Sequence, residues 1–422
     1  MPDLIVRGAR WKQQEVDLLI RRGKVLELTP YEKSDTPAKN ARVIDAKGLT
    51  LLPSLIDAHT HMREPGQEWK EDIASGLDAA AHGGFGTVLC MANTDPVNDN
   101  ASVTELMLEQ ASRSWPKGPR LAPIGALTKG LAGQELAPME ELARAGCVAF
   151  SNDGVPIAST ELFRRAMEYA SDLGMVVIDH CEDPFLGKGG SMNESPVSGR
   201  LGLKGQPWAA ETIQIARDIE LARYLNIPVH IAHVSTRQSV ELLAWAKDKG
   251  APVTAETCPH YLVLDESSVE GYNTRAKVNP PLRTPDDSAA LLQALRDGVI
   301  DILATDHAPH AAHEKEVEFD HAPFGISGLD TALSVTWGLV ASGDLDLDTF
   351  LRAWCYGPAS IFNIAANTFE PGSPADFVLF DPDATWTVSA ETMHSKSANT
   401  PLLGRTLSGR VVSHFIGGKK IV

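Results

Sequence analysis

Cysteine is scarce in this sequence, and what little there is forms no pattern. Five occur in 422 residues, at positions 90, 147, 181, 258 and 355, with no CxxC pair among them. An odd count at irregular spacing offers no disulfide framework and suits a reducing compartment. Long apolar runs are missing too, so nothing approaches the 18 or so uninterrupted residues that a membrane helix needs. The first residues, MPDLIVRGARWKQQEVDLLIRRGKV, alternate polar with apolar and do not join a basic start to an apolar core and a cleavage site, so no export signal is expected. A cytoplasmic protein without a membrane partner is the expectation. Positive charge is also short. With 38 Lys+Arg against 55 Asp+Glu the formal charge is -17, and no Lys/Arg run interleaved with aromatics offsets it, which speaks against nucleic-acid binding. An anionic small molecule stays admissible, because a few cations or metal ions can reverse the potential inside a cleft. No GxGxxG or GxxxxGK[ST] follows a candidate strand, and GGFGT precedes one where a phosphate loop would follow it.

What is present is a globular composition, 43% hydrophobic and 22% charged, with two kinds of periodicity. Residues 3 to 28 alternate as short strands, VIDAKGLTLLP continues that pattern, and DFVLF, WTV and VVSHFIGGKKIV return to it near the end, so the two ends can share one sheet. Between them lie eight short apolar runs: LIDAHTH, TVLCMAN, RLAPIGAL, CVAFS, MVVIDH, PVHIAHVS, PVTAET and DILATDH. Amphipathic helical stretches separate them, among them EDIASGLDAAAHG, STELFRRAMEYASDLG, ARDIELARYL and RQSVELLAWAKDKG, several ending at Gly as helix C-termini do. Eight strand-helix units predict an α/β fold of the TIM-type (β/α)8 barrel class. An open doubly wound sheet alternates in the same way, but it loses ground with the missing nucleotide loops. The stretch from Asp183 to Gln206, rich in Gly, Ser and Pro, reads as a surface loop.

In such a barrel the C-terminal ends of the strands surround one mouth, so polar residues there converge although distant in sequence. His59 and His61 are two apart on one strand and share a face. His180 closes MVVIDH, His233 ends PVHIAH, and Asp306 closes DILATD. One strand-end histidine is ordinarily a surface or hydrogen-bonded residue. Five matching placements point instead to a metal centre, for which zinc suits imidazole with carboxylate, and manganese or cobalt would also be accepted.

Ten motifs then carry a resemblance over essentially the whole chain: DAHTHMREPG, MANTDPV, ALTKG, FSNDG, HCED, AHVST, ETCPHYL, NPPLR, TDHAPH and APFGISGLDTAL. The sequence resembles the amidohydrolase superfamily and, within it, the class I dihydroorotases, which interconvert N-carbamoyl-L-aspartate and L-dihydroorotate in de novo pyrimidine biosynthesis. The resemblance implies a barrel over about residues 53–368 and a small composite β domain made of residues 1–52 and 369–422. It implies one metal held by His59, His61 and Asp306 and a second by His180 and His233, with zinc as the expected cofactor, two ions per chain. Many superfamily members bridge their metals with a carboxylated lysine. No lysine occurs from Gly130 to Gly187, and the resemblance gives the bridge to Asp153, although Asn-Asp-Gly alone reads as a turn. Arg63 is implied to bind the substrate carboxylate, which its planar donor fork suits. Asn93, Asn279 and His310 match further substrate contacts, and Phe324 and Gly325 match backbone contacts.

The chemistry implied is attack of metal-activated water on the ring amide, with Asp306 as catalytic proton carrier. The segment HAAHEKEVEFDHAPFG fits a loop closing over substrate and equally a plain exposed loop. His230, His260 and His307 are expected beside the site and not as ligands, while His82, His394, His414 and Cys181 are given no chemistry. Two rivals stand next to this reading. One is a dihydropyrimidinase, hydantoinase or allantoinase, the other a catalytically silent partner of aspartate carbamoyltransferase. A homo-oligomer and a complex with aspartate carbamoyltransferase are expectations of the same resemblance.

Overall fold

The computed structural model describes residues 2–31 and 41–422. Alternation builds the first sheet. Strands β1 (Leu4–Trp11), β2 (Gln14–Arg21) and β3 (Lys24–Pro30) pair antiparallel in turn, and in β2 the side chains of Val16, Leu18 and Ile20 are buried while those of Glu15 and Arg21 are exposed. Strand β4 (Arg42–Asp45) runs parallel to β1, and β5 (Thr50–Pro53) follows.

The barrel comes next. Strands β6 (Leu55–Thr60), β7 (Phe85–Cys90), β8 (Arg120–Ala126), β9 (Ala149–Ser151) and β10 (Val177–Asp179) lie side by side. After a two-residue parallel pair, β11 (Met192–Asn193) with β12 (Gly205–Gln206), the barrel resumes through β13 (Val229–Ile231), β14 (Val253–Thr257) and β15 (Ile302–Leu303). All eight barrel strands are parallel, and Thr60 bridges His307 in parallel to bring the last strand against the first. Every residue of β6 and β7 is buried, as expected where helices cover one face and the barrel interior the other. These eight strands are the eight apolar runs of the sequence.

The helices start and stop where side chains satisfy their ends. Asp72 caps helix Ile73–Gly83 in a capping box with Ser75, and Gly84 closes it with φ 87°. Thr284 and Asp287 do the same for helix Pro285–Asp297. Among the described residues no helix is long and apolar enough to cross a membrane.

The chain returns in β16 (Phe377–Thr387), β17 (Thr406–Ile416) and β18 (Lys419–Lys420). β16 pairs antiparallel with β5, Leu379 opposite Leu51, so strands from both ends of the sequence share one sheet. Phe377 and Phe415 stack in its core, with ring centroids 4.5 Å apart.

The segment from Asp183 to Gln206 departs from the surface-loop expectation. It holds β11, β12 and a short helix, Pro196–Leu201, and Asn193 and Gln206 are buried. Its polar groups meet Arg283, whose guanidinium donates to Asn193 Oδ1 at 2.9 Å and to the Gln206 carbonyl at 2.8 Å. Composition registered the Gly and Ser but not the distant arginine that satisfies them.

Candidate active site

The strand ends bring the predicted polar residues into one buried cluster. His59 lies within β6 and His61 one residue beyond it; Asp153 follows β9, His180 follows β10, His233 follows β13 and Asp306 follows β15. Asp153 sits between the two histidine pairs. Its Oδ1 is 3.4 Å from His59 Nε2 and 3.5 Å from both His180 Nδ1 and His233 Nε2, and its Oδ2 is 3.6 Å from His61 Nε2. Asp306 Oδ1 lies 3.0 Å from His61 Nε2 and 3.6 Å from His59 Nε2.

His61 Nε2 with Asp306 Oδ1, and His180 Nδ1 with His233 Nε2 at 2.8 Å, are within hydrogen-bond reach, but the separations around Asp153 fit a metal centre better than a hydrogen-bonded one. Two ligands about 2.05 Å from a tetrahedral zinc stand roughly 3.3 Å apart, close to the observed spacing. Meanwhile the buried atoms His59 Nε2 and Asp153 Oδ1 have no hydrogen-bond partner, a cost that ligation would remove. His59, His61 and Asp153 form one group of three able to hold a cation, and Asp153, His180 and His233 another, with Asp153 common to both.

Carboxylates dominate the electrostatics. Burial opposes the charge on His180, but Asp153 and Glu182 outweigh it and lift the ring to about 10. Burial likewise opposes ionisation of Asp153, and His59, His180 and His233 nevertheless hold it well below the usual carboxylate range. Arg63, His233 and Asp306 all carry positive φ, at 58°, 32° and 47°. Such backbone costs about 1–3 kcal/mol per residue and tends to collect at working sites.

Beside the cluster is a cavity of about 200 Å³, lined among others by Arg63, Asn93, Asn279, His310, Phe324 and Gly325. Arg63 is buried, its Nε donating to the Pro309 carbonyl at 3.2 Å. Burial lowers its pKa, yet a guanidinium keeps its charge. His310 Nε2 donates to the Phe324 carbonyl at 2.8 Å; burial, with the cations Arg63 and Lys315 near, pushes the ring down to about 2 and keeps it neutral. Asn93 Oδ1 accepts from His61 Nδ1 at 2.8 Å. Gly325 has φ 144°, and a Cβ there would stand 2.6 Å from the Ala308 carbonyl oxygen. Only glycine fits.

Some neighbours were not read from the sequence. Glu256, buried in β14, accepts from His59 Nδ1 at 2.7 Å and from His230 Nε2 at 3.1 Å. Glu182 accepts from His180 Nε2 at 3.2 Å and from Asn279 Nδ2 at 2.7 Å. Each fixes which ring nitrogen is left to face Asp153. A glutamate inside a strand buried on both faces must be paired, and that rule applied to PVTAET would have singled out Glu256. His230, His260 and His307 fall outside both three-residue groups; His307 Nε2 lies 3.4 Å from Glu71, His230 Nε2 3.1 Å from Glu256, and the buried His260 Nε2 has no hydrogen-bond partner. Cys181 is buried against Asp218 at 3.3 Å.

A dihydro-orotase-like family model matches residues 48–239. The chain is 48% identical over 425 residues to a curated dihydroorotase of Geobacter metallireducens, covering 99% of each. It is 47% identical over 408 residues to that of Geotalea daltonii, covering 97% of this chain and 95% of the relative. The chain belongs to the dihydroorotase family. Among solved structures it is similar to the L-hydantoinase (dihydropyrimidinase) of Arthrobacter aurescens, with a TM-score of 0.87 and 25% identity over all of this chain and 96% of that one. The dihydropyrimidinase of Brevibacillus agri follows with a TM-score of 0.79 and 26% identity, over all of this chain and 94% of that one. At these identities the dihydroorotase relatives stand well above the hydantoinases, which share the barrel and its extra β sheet.

Proposed function

We propose that the protein is a metal-dependent cyclic amidohydrolase that interconverts N-carbamoyl-L-aspartate and L-dihydroorotate, serving pyrimidine biosynthesis. The observation that carries this reading is the placement of a buried arginine, Arg63, in the cavity wall beside two cation-holding groups that share Asp153. A hydantoin or dihydropyrimidine lacks the carboxylate that such an arginine would bind, and among the described residues Arg63 makes no ion pair that would take its place.

We assign His59, His61, Asp153 and Asp306 to one ion, and Asp153, His180 and His233 to a second, with zinc the cation the donor set suits. When bound, zinc would act as a Lewis acid on the amide carbonyl and acidify water. The remaining work falls to the chain. Asp306, within 3.0 Å of His61, takes the proton from attacking water and returns it to the departing ring nitrogen; cyclisation reverses the order. Arg63 holds the free carboxylate through its terminal nitrogens. Asn279, its Nδ2 engaged by Glu182, keeps its carbonyl oxygen for a ring N–H. Asn93 is held by His61, and neutral His310 with the Phe324 and Gly325 backbone completes the orientation of the ring.

Residues 53–368 form the catalytic barrel in this proposal, and residues 1–52 with 369–422 the composite β unit. The cytoplasmic location rests on the scarce, unpatterned cysteines; the homo-oligomer and the complex with aspartate carbamoyltransferase rest on the resemblance. Stripping and restoring metal tests the reading. Chelated protein should lose dihydroorotate hydrolysis and recover it on addition of zinc, with carbamoyl aspartate as product. Undiminished turnover after verified metal removal would sink it.

A further inference from the structure

Two lysines just behind the cavity lining, Lys277 next to the lining residue Val278 and Lys315 on the segment that leads to Phe324 and Gly325, are buried in an unusual way. Lys277 is 3% and Lys315 5% exposed, although lysine is almost never buried without an ionic partner. Among the described residues neither ammonium makes an ion pair; backbone carbonyls satisfy both. Lys315 Nζ donates to Pro323 O at 2.6 Å, to Thr274 O at 3.2 Å and to Lys277 O at 3.4 Å. Lys277 Nζ donates back across the same gap, to Phe319 O at 2.7 Å and to Asp320 O at 3.0 Å, and lies 4.7 Å from the centroid of the Phe324 ring. Thr274 Oγ1 donates to Lys315 O at 2.5 Å, and the Gly325 amide to Lys277 O at 2.9 Å. The two backbone segments, 274–277 and 315–325, are thus tied by reciprocal bonds whose donors are largely these two ammonium groups.

The consequence lies at the cavity. The first segment runs directly into Asn279, and the second ends in Phe324 and Gly325, with His310 bonded to the Phe324 carbonyl. We propose that Lys277 and Lys315 are positioning residues that hold the loop of residues 311–325 against residues 274–279, so that Asn279, His310, Phe324 and Gly325 meet across one pocket. The assignment deepens the proposed function, since it concerns the same substrate. It also accounts for two buried cations that no ion pair explains. Burial and the nearby Lys277 and Arg63 charges push Lys315 down to about 7, consistent with a group kept in place for its donors despite the cost of its charge.

The test uses zinc-loaded Lys315→Met, Lys277→Met and Lys315→Arg proteins, with steady-state kinetics on dihydroorotate, zinc content, and hydrogen exchange over residues 274–279 and 311–325. Each Met variant should raise KM by about tenfold or more while kcat changes less, because what is lost is binding geometry. Zinc content should stay as in the parent, and exchange in both segments should accelerate. Lys315→Arg, which keeps charge and donors, should lie between. Unchanged KM with unchanged exchange overturns the proposal, as does a fall in kcat with zinc loss at constant KM. If Lys315→Met does not fold, Thr274→Val removes one bond of the clamp and should shift exchange in the same direction; no shift counts against it. If the parent protein does not turn over dihydroorotate, the functional reading fails by itself, and the exchange data still decide the clamp.

Discussion

Replacing Glu256 by glutamine asks how much of the metal centre is set from behind. The Glu256 carboxylate accepts from His59 Nδ1 at 2.7 Å and from His230 Nε2 at 3.1 Å, and these hydrogen bonds hold it well below the usual carboxylate range in spite of burial. Glutamine keeps the shape but can accept at one oxygen only, and its NH2 faces the other ring. A hydrogen bond to a charged group contributes about 1.5–3 kcal/mol, a neutral one about 0.5–1.5. Converting the first bond and unsettling the second should therefore cost about 2–3 kcal/mol of stability. The effect on the centre is separate: with the tautomer of His59 no longer fixed, zinc affinity should fall about 10- to 100-fold, or about 1.4–2.7 kcal/mol. Chelator competition reads the affinity, kcat/KM at saturating zinc reads the activity, and thermal unfolding reads the stability. Glu256→Ala, which leaves two buried imidazoles without an acceptor, should be worse on all three. If the glutamine variant matched the parent within twofold in affinity and kcat/KM, Glu256 would have no part in positioning His59.

Asp306→Asn should lower kcat by about 10²- to 10⁴-fold, the range for loss of a proton carrier, with KM little altered; retention of kcat in zinc-replete protein would move the proton role elsewhere. Gly325→Ala should raise KM for dihydroorotate, since its Cβ would meet the Ala308 carbonyl at 2.6 Å and displace the loop; a KM equal to that of the parent would show that the loop yields at no cost. His414 is buried between Ser54 and the Ala81 carbonyl, each at 2.8 Å, and burial holds its pKa at about 4. Between about pH 6.5 and 4 the unfolded chain takes up a proton that the folded one refuses, so stability is lost as pH falls, by up to about 1.4 kcal/mol per pH unit. His414→Gln, which cannot titrate, should show a shallower fall in Tm from pH 7 to 4.5, and parallel curves would contradict this.

The sequence displayed the barrel because its strands are buried on both faces and read as apolar runs, and it displayed four histidines and Asp306 because they break those runs at their ends. Asp153 was another matter. Asn-Asp-Gly is a turn by composition, and its role came from resemblance; in the structure it is the carboxylate between two histidine pairs. Glu256 was hidden because its partner His59 is 197 residues away, and a polar residue in an alternating strand looks like one facing solvent. Lys277 and Lys315 were hidden for a related reason: charge-rich segments read as solvated, and only the fold brings in the carbonyls that let an ammonium be buried. The Asp183–Gln206 stretch misled in the same way, its loop composition concealing polar groups matched by Arg283.

Comparing kcat/KM for dihydroorotate and dihydrouracil on zinc-loaded protein asks whether this site takes a ring bearing a carboxylate. A site built to bind a polar substituent rejects the analogue without it by on the order of 10⁴. A preference of that size for dihydroorotate is expected, collapsing in Arg63→Met. Comparable or faster turnover of dihydrouracil would contradict it and place the chemistry with the hydantoinases.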